Sequence, residues 1–148
     1  SLLRNETYLR LAHRIAKLCH WHWQPDDPGA VIDPNRRNGR FVYSDEARDI
    51  FGYEPEDLPG FGDEFALMVI HPDDRDRAWN SINAVLNGRS HTHQIEYRML
   101  HKDGSIRWIL DQAGIMQRDT TGKPVRMCGI HADVTARKLV EQEFHEAQ

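Results

Sequence analysis

Cysteine is scarce: Cys19 and Cys128 are the only two in 148 residues. Two cannot build a disulfide framework, so a reducing compartment is expected. Long apolar runs are missing too. None approaches the roughly 20 residues that a membrane-spanning helix needs, and no secretory leader is visible from Ser1 onward. No basic cluster interleaved with aromatics occurs, and the formal net charge is -4. General nucleic-acid binding, which needs a basic face, is thereby disfavoured. A Gly-rich phosphate loop, a nucleophile elbow and a metalloprotease helix are all absent, so the domain itself is expected to be non-catalytic. Repeats and low-complexity tracts are lacking as well. From these absences a soluble, cytoplasmic protein is expected.

What is present suits one domain with short arms. Hydrophobic residues make up 39% of the chain, and four Trp, four Tyr and five Phe are spread along it, enough for one core. From Leu2 to Leu18 the apolar residues Tyr8, Leu11, Ile15 and Leu18 recur at helical spacing. Cys19 to Gln24 then alternates with period two, which places Trp21 and Trp23 on one face of a strand and His20 and His22 on the other. A loop runs from Pro25 to Gly39, and Arg40 to Tyr43 reads as a second strand. Ser44 is the expected N-cap of a short helix that ends at Gly52. Between Pro55 and Gly62 only single turns are expected, and Asp63 to Ile70 reads as another short helix. Pro72, Asp73 and Asp74 open the best helix of the middle region, which Gly88 ends. Its inward stripe is Ala78, Ile82 and Val85.

The last third changes period. Gln94 to Leu100 places Ile95, Tyr97 and Met99 on one face and Glu96 and Arg98 on the other. Lys102-Asp103-Gly104 supplies hairpin chemistry. Ser105 to Gln117 and Val125 to Val134 are further strands, and Thr135 to Gln148 returns to helical spacing. Five strands with short helices on one side, flanked by N- and C-terminal helices, make an α+β domain.

Five segments in this order resemble the PAS family, in the form that carries a PAC motif. They are Trp21-His22-Trp23; Tyr43-Ser44 through Ile50-Phe51-Gly52-Tyr53; and His71-Pro72-Asp73-Asp74-Arg75. The others are Glu96-Tyr97-Arg98 with Lys102-Asp103-Gly104 and Arg107-Trp108-Ile109, and lastly Asp133-Val134-Thr135-Ala136-Arg137-Lys138. The match covers roughly Leu18 to Lys138. It divides the chain into an N-terminal helical arm (1–18), a sensory domain (19–134) and an exit helix (135–148). The resemblance implies a PAS-like fold, a five-stranded antiparallel sheet that encloses a small cavity with the helices. It also implies that Asp133 and Thr135 couple the sheet to the exit helix; the same two residues can cap the first turn of that helix. Trp21 and Trp23 join them as relay candidates. The candidate cavity residues are Phe51, Tyr53, Met68, Ile82, Tyr97, Met99 and Trp108, each of which has core packing as its ordinary role.

Other chemistry finds less support. His20-x-His22 and His91-x-His93 each place two imidazoles on one face of a strand, but no further ligands stand nearby, so no metal is expected. Asp73-Asp74 is read as helix-cap chemistry rather than a paired carboxylate site. Haem-binding relatives commonly use a His in the long central helix, and none lies between Arg75 and Asn87. Flavin-photosensing relatives carry a reactive mid-domain Cys, and neither Cys19 nor Cys128 lies there; both read as small core residues. A small organic ligand is the remaining cofactor class. The resemblance further implies a homodimer through the flanking helices and a relay to an effector domain of the same chain, foremost a sensor histidine kinase. A diguanylate cyclase effector and a ligand-free dimerisation module are the alternatives.

Overall fold

The period-two segments pair into one antiparallel sheet. In the computed structural model, which describes residues 4–7, 17–27, 31–32, 39–60 and 63–147, the strands are β1 (Leu18–Pro25), β2 (Gly39–Tyr43), β3 (Thr92–Leu100), β4 (Ile106–Arg118) and β5 (Pro124–Asp133). Their order across the sheet is β2-β1-β5-β4-β3. The first and last strands in sequence are thus central neighbours, and the chain closes on itself. The helices are α1 (Ala47–Phe51), α2 (Asp63–Val69), α3 (Arg75–Leu86) and α4 (Thr135–Ala147), with single 3-10 turns at Pro55–Asp57 and Pro72–Asp74. Among the described residues no helix is long and apolar enough to cross a membrane.

Alternation decides what each strand buries. Cys19, Trp21, Trp23, Tyr43, Ile95, Tyr97, Met99, Ile109, Ala113 and Met127 are buried on one face, against Ala47, Ile50 and Phe51 of α1, Phe65 and Val69 of α2, and Ala78 and Ile82 of α3. A fully buried side chain of this size contributes about 1.5–3 kcal/mol. Gly129 is needed beneath this layer: a Cβ there would lie 2.7 Å from the Trp21 indole and 2.6 Å from the Gln112 carbonyl oxygen. At the β3–β4 hairpin Gly104 takes φ 89°, where L side chains are strained. The Asp103 carboxylate accepts from the Ser105 amide at 2.8 Å and the Ser105 hydroxyl at 2.6 Å. These bonds draw Asp103 down to about 2.

Several local expectations are corrected. Most of the helix expected over Leu2–Leu18 lies outside the described residues. Residues 4–7 are helical, whereas Lys17 takes φ 57° and Leu18 already pairs with Ala132 in the sheet. Ser44 does not cap α1; its hydroxyl accepts from the His20 amide at 3.0 Å, tying the end of β2 to β1. Asp74 makes no cap bond. It is buried, and its carboxylate reaches β3 instead: the Arg98 amide donates at 2.7 Å, and the guanidinium at 3.1 and 2.9 Å. These bonds from Arg98 lower the Asp74 pKa.

Candidate functional site

On the inner face of the sheet the alternation of three strands brings polar side chains into an otherwise apolar layer. His93 of β3, Asp111 of β4 and His131 of β5 are 3%, 9% and 3% exposed. Asp111 and His131 are direct register partners. The Asp111 Oδ2 atom lies 3.2 Å from His93 Nε2 and accepts from the Tyr97 hydroxyl at 3.1 Å. Oδ1 faces His131 Nε2 at 3.4 Å. The other ring nitrogen of His93 meets the Ser81 hydroxyl of α3 at 2.7 Å, which ties the cluster to the helix layer.

A buried charge persists only where it is paired. Burial opposes ionisation of Asp111, yet the neighbouring His131 and His93 hold its carboxyl well below the usual carboxylate range. Burial likewise opposes the charge on His131, but the Asp111 carboxylate outweighs it and raises the imidazole pKa. Aromatic rings surround His131: Phe51 edge-on at 5.1 Å, Phe65 at 6.1 Å, Tyr43 at 6.4 Å and Trp21 at 6.5 Å between centroids. Tilted and edge-on packing at these separations is the favoured arrangement of aromatic rings. Burial and nearby negative charge push the Tyr97 and Tyr43 hydroxyls well above their ordinary pKa, so both stay protonated donors. Tyr43 donates to the Pro59 carbonyl at 2.8 Å.

Beside this cluster is a cavity of about 50 Å³. Trp21, Phe41, Tyr43, Phe65 and Ile82 form its apolar walls, Asp111, His93 and His131 its polar floor, and Arg75 and Trp79 of α3 also border it. Among the described residues Trp21 Nε1 and His131 Nδ1 lack a hydrogen-bond partner, and Asp111 Oδ1 has only the 3.4 Å contact with His131 Nε2. Unsatisfied buried polar atoms are uncommon and costly. Here both belong to cavity-lining residues.

Of the residues expected in the cavity, Ile82 lines it. Tyr97 stands behind the floor with its hydroxyl on Asp111. Phe51 and Met99 are fully buried in the surrounding core, and Tyr53 and Met68 are half-buried at its edge. Trp108 is corrected: Ile109 takes the inward position on β4, so Trp108 faces the opposite side of the sheet, beneath Lys138 at 4.8 Å. Trp21 borders the cavity, and Trp23 is buried on the same face. The sequence reading missed Asp111, His131 and His93 as a group. The signal was present in Ile109-x-Asp111-x-Ala113 and Met127-x-Gly129-x-His131, where strict alternation points the polar residues inward.

The cysteines do not form a pair. Cys19 is partnered with His131 and Cys128 with His22, so they project from opposite faces of the sheet. No group of three His, Cys, Asp or Glu side chains suited to a metal ion occurs among the described residues. His93 is buried while His91 is exposed ahead of β3, so that pair shares no site.

At the end of β5 the geometry changes character. Asp133 Oδ1 accepts from the Thr135 amide at 3.0 Å and from its hydroxyl at 2.6 Å. The Thr135 hydroxyl oxygen in turn accepts from the Trp108 amide at 2.9 Å, and Val134 donates to the Trp108 carbonyl at 2.9 Å. The first turn of α4 is thus bonded directly to β4. Arg137 adds a 2.6 Å bond to Glu96 of β3. A five-stranded antiparallel sheet with a helix-covered, partly hollow inner face is the architecture the sequence motifs implied. The family model for the PAS fold matches residues 40–131. The chain belongs to the PAS family.

Its relatives are sensory proteins. A sensory box histidine kinase/response regulator from Burkholderia thailandensis is 31% identical, with a TM-score of 0.69 over 94% of this chain and 93% of that one. The blue-light-activated histidine kinase of Brucella ovis is 30% identical over 104 residues, 70% of this chain and 20% of the relative. This PAS domain therefore spans about a fifth of the length of that kinase. The N-terminal domain of a diguanylate cyclase with PAS/PAC sensor from Marinobacter aquaeolei shares the fold at 19% identity, with a TM-score of 0.58 over 80% of this chain and 98% of that one. The chain is a PAS sensory domain homologous to the sensor domains of histidine kinases.

Proposed function

We propose that this domain is the cytoplasmic input module of a sensor histidine kinase, with residues 19–134 sensing and 135–148 carrying the signal out. The observation that carries the proposal is the register of β4 against β5. Asp111 pairs with His131 at the cavity floor, and the next inward-facing pair along the same ladder is Ile109 with Asp133. Two residues of strand span about 7 Å. A displacement of the Asp111–His131 pair therefore acts almost directly on the Asp133–Thr135–Trp108 junction that anchors α4. The domain supplies no catalytic groups of its own; its output is the position of that helix. Leu139, Val140 and Phe144 of α4 are 52%, 65% and 65% exposed, an apolar stripe that supports dimerisation through the exit helix.

The test is ATP-dependent autophosphorylation of the full-length chain carrying Asp133→Ala, beside the thermal stability of the isolated domain. The expected result is a domain that stays folded and a kinase that no longer responds to its signal. Parallel loss of stability and response would make Asp133 a helix cap alone. Native mass spectrometry of the purified domain separates a sensing module from a ligand-free relay: a retained small molecule supports the first, and a clean mass with a dimer peak the second.

A further inference from the structure

We infer that Arg98 and Trp108 form a second connection between α3 and the exit helix α4, in which Arg98 is a positioning residue that sets the hold of Trp108 on Lys138. The inference rests on the sensory reading above and adds a route to α4 that does not pass through Asp133. Three contacts carry it. At the first, Asp74, the residue immediately before α3, accepts from the Arg98 amide at 2.7 Å and from its guanidinium at 3.1 and 2.9 Å. Asp74 is buried, so water is a poor substitute for these bonds. At the second, Arg98 and Trp108 are direct register partners on β3 and β4, and the guanidinium carbon lies 5.9 Å from the centre of the indole. At the third, the Lys138 ammonium of α4 lies 4.8 Å from the centre of the same ring.

Two cations therefore share one aromatic ring, which attracts each of them, while they repel one another. Asp74 decides how strongly they repel. With Asp74 in place the Arg98 charge is neutralised, and Lys138 keeps its seat on the ring. When the head of α3 shifts, Arg98 loses its counter-ion and its full charge stands against Lys138. Asp73 also lies 3.8 Å from Arg98, but it is mostly exposed, and water screens such a partner. Glu96 runs alongside: its carbonyl accepts from Arg77 of α3 at 2.8 Å, and its carboxylate lies 2.6 Å from Arg137 and 3.5 Å from Lys138 of α4. The seat of α3 in turn depends on the cavity, which Ala78 and Ile82 border, and on the Ser81 bond to His93 of its floor. A shift of that helix is thus read as charge at the first turn of α4.

The test is native-state hydrogen exchange in a double-mutant cycle on this chain. The probe is the Lys138 amide, which donates to the Val134 carbonyl at 3.0 Å in the first turn of α4. The amide of the buried residue Tyr97 serves as the reference for global stability. Asp74→Asn is expected to raise exchange at Lys138 between about two- and fivefold, the worth of one cation on an exposed ring. In Arg98→Met the ring holds Lys138 without a competitor, and adding Asp74→Asn is expected to change nothing further at that amide. Such non-additivity marks two sites joined through a third. A merely structural Arg98 predicts instead that each substitution loosens α4 and that the two effects add. That result would overturn the inference, as would an unchanged rate in Asp74→Asn. Coupling is reciprocal, so if Asp74→Asn does not fold, Lys138→Met is read at the Nε–H proton of Arg98. Exchange slowed between about two- and fivefold there supports the inference, and an unchanged rate overturns it. Failure of the inference leaves the sensory reading to its own test, because Asp133→Ala acts on a different junction.

Discussion

Asp111 and Asp133 are the same residue type, stand on paired strands of one sheet, and lie one inward step apart along the β4–β5 ladder. Asp111 is buried against two histidines and a tyrosine. Asp133 has a side chain 21% exposed and spends its acceptors on the first turn of α4, with Arg107 at 3.8 Å. In the first setting little water screens the charge, so its partners determine whether it persists. In the second, water is an alternative partner, and the bonds chiefly set geometry. The same chemical group is therefore a stability element at one end of the ladder and a positioning element at the other.

The comparison is sharpest where a partner is removed. Asp111→Ala leaves the His131 charge buried and unpaired, and a loss of about 3–5 kcal/mol of unfolding free energy is expected in urea denaturation. A loss below about 1 kcal/mol would mean that His131 simply discharges. Asp74→Ala is a control away from the cavity. It strands the Arg98 amide and weakens the hold on its guanidinium, for an expected loss of about 2–3 kcal/mol. Asp133→Ala should cost only about 1 kcal/mol, the value of a helix cap, while abolishing the response in autophosphorylation. That outcome places signalling, rather than folding, at this end of the ladder.

A pH series separates the two settings without mutation. The raised pKa of His131 means that its stabilising contribution is complete below the unfolded value of about 6.5 and is lost as pH rises toward the folded one. Asp111, lowered in the fold, contributes above about pH 4 and loses that contribution as pH falls further. Thermal melts are therefore expected to decline on the alkaline side of about pH 6.5, and His131→Gln should flatten that limb. An unchanged slope in the variant would assign the decline to another group. The smallest effect belongs to the solvent-facing pair: Glu96→Gln should leave the melting temperature essentially unchanged, since exposed pairs contribute little.

Local pattern made most of the fold legible. The alternation in Trp21-His22-Trp23 and Ile95-Glu96-Tyr97, the Lys102-Asp103-Gly104 turn and the helical stripe Ala78-Ile82-Val85 depend only on neighbouring residues, and they stand where they were expected. Local pattern misled where a polar side chain had two partners to choose from. Ser44 bonded across to β1 instead of capping α1, and Asp74 reached Arg98 instead of the helix N-terminus, because tertiary approach offered each a competing bond that sequence spacing does not encode.

The site follows the same division. The amino-acid sequence by itself determined the strands, the turns and the face on which each inward residue stands, because side-chain direction in a strand is a matter of parity. Only the tertiary structure decided that His93, Asp111 and His131, drawn from three strands and up to 38 positions apart, share one buried cluster beside a cavity. Strand order and register are properties of the assembled sheet. The shifted ionisation of Asp111 and His131 arises only once that assembly has excluded water from between them.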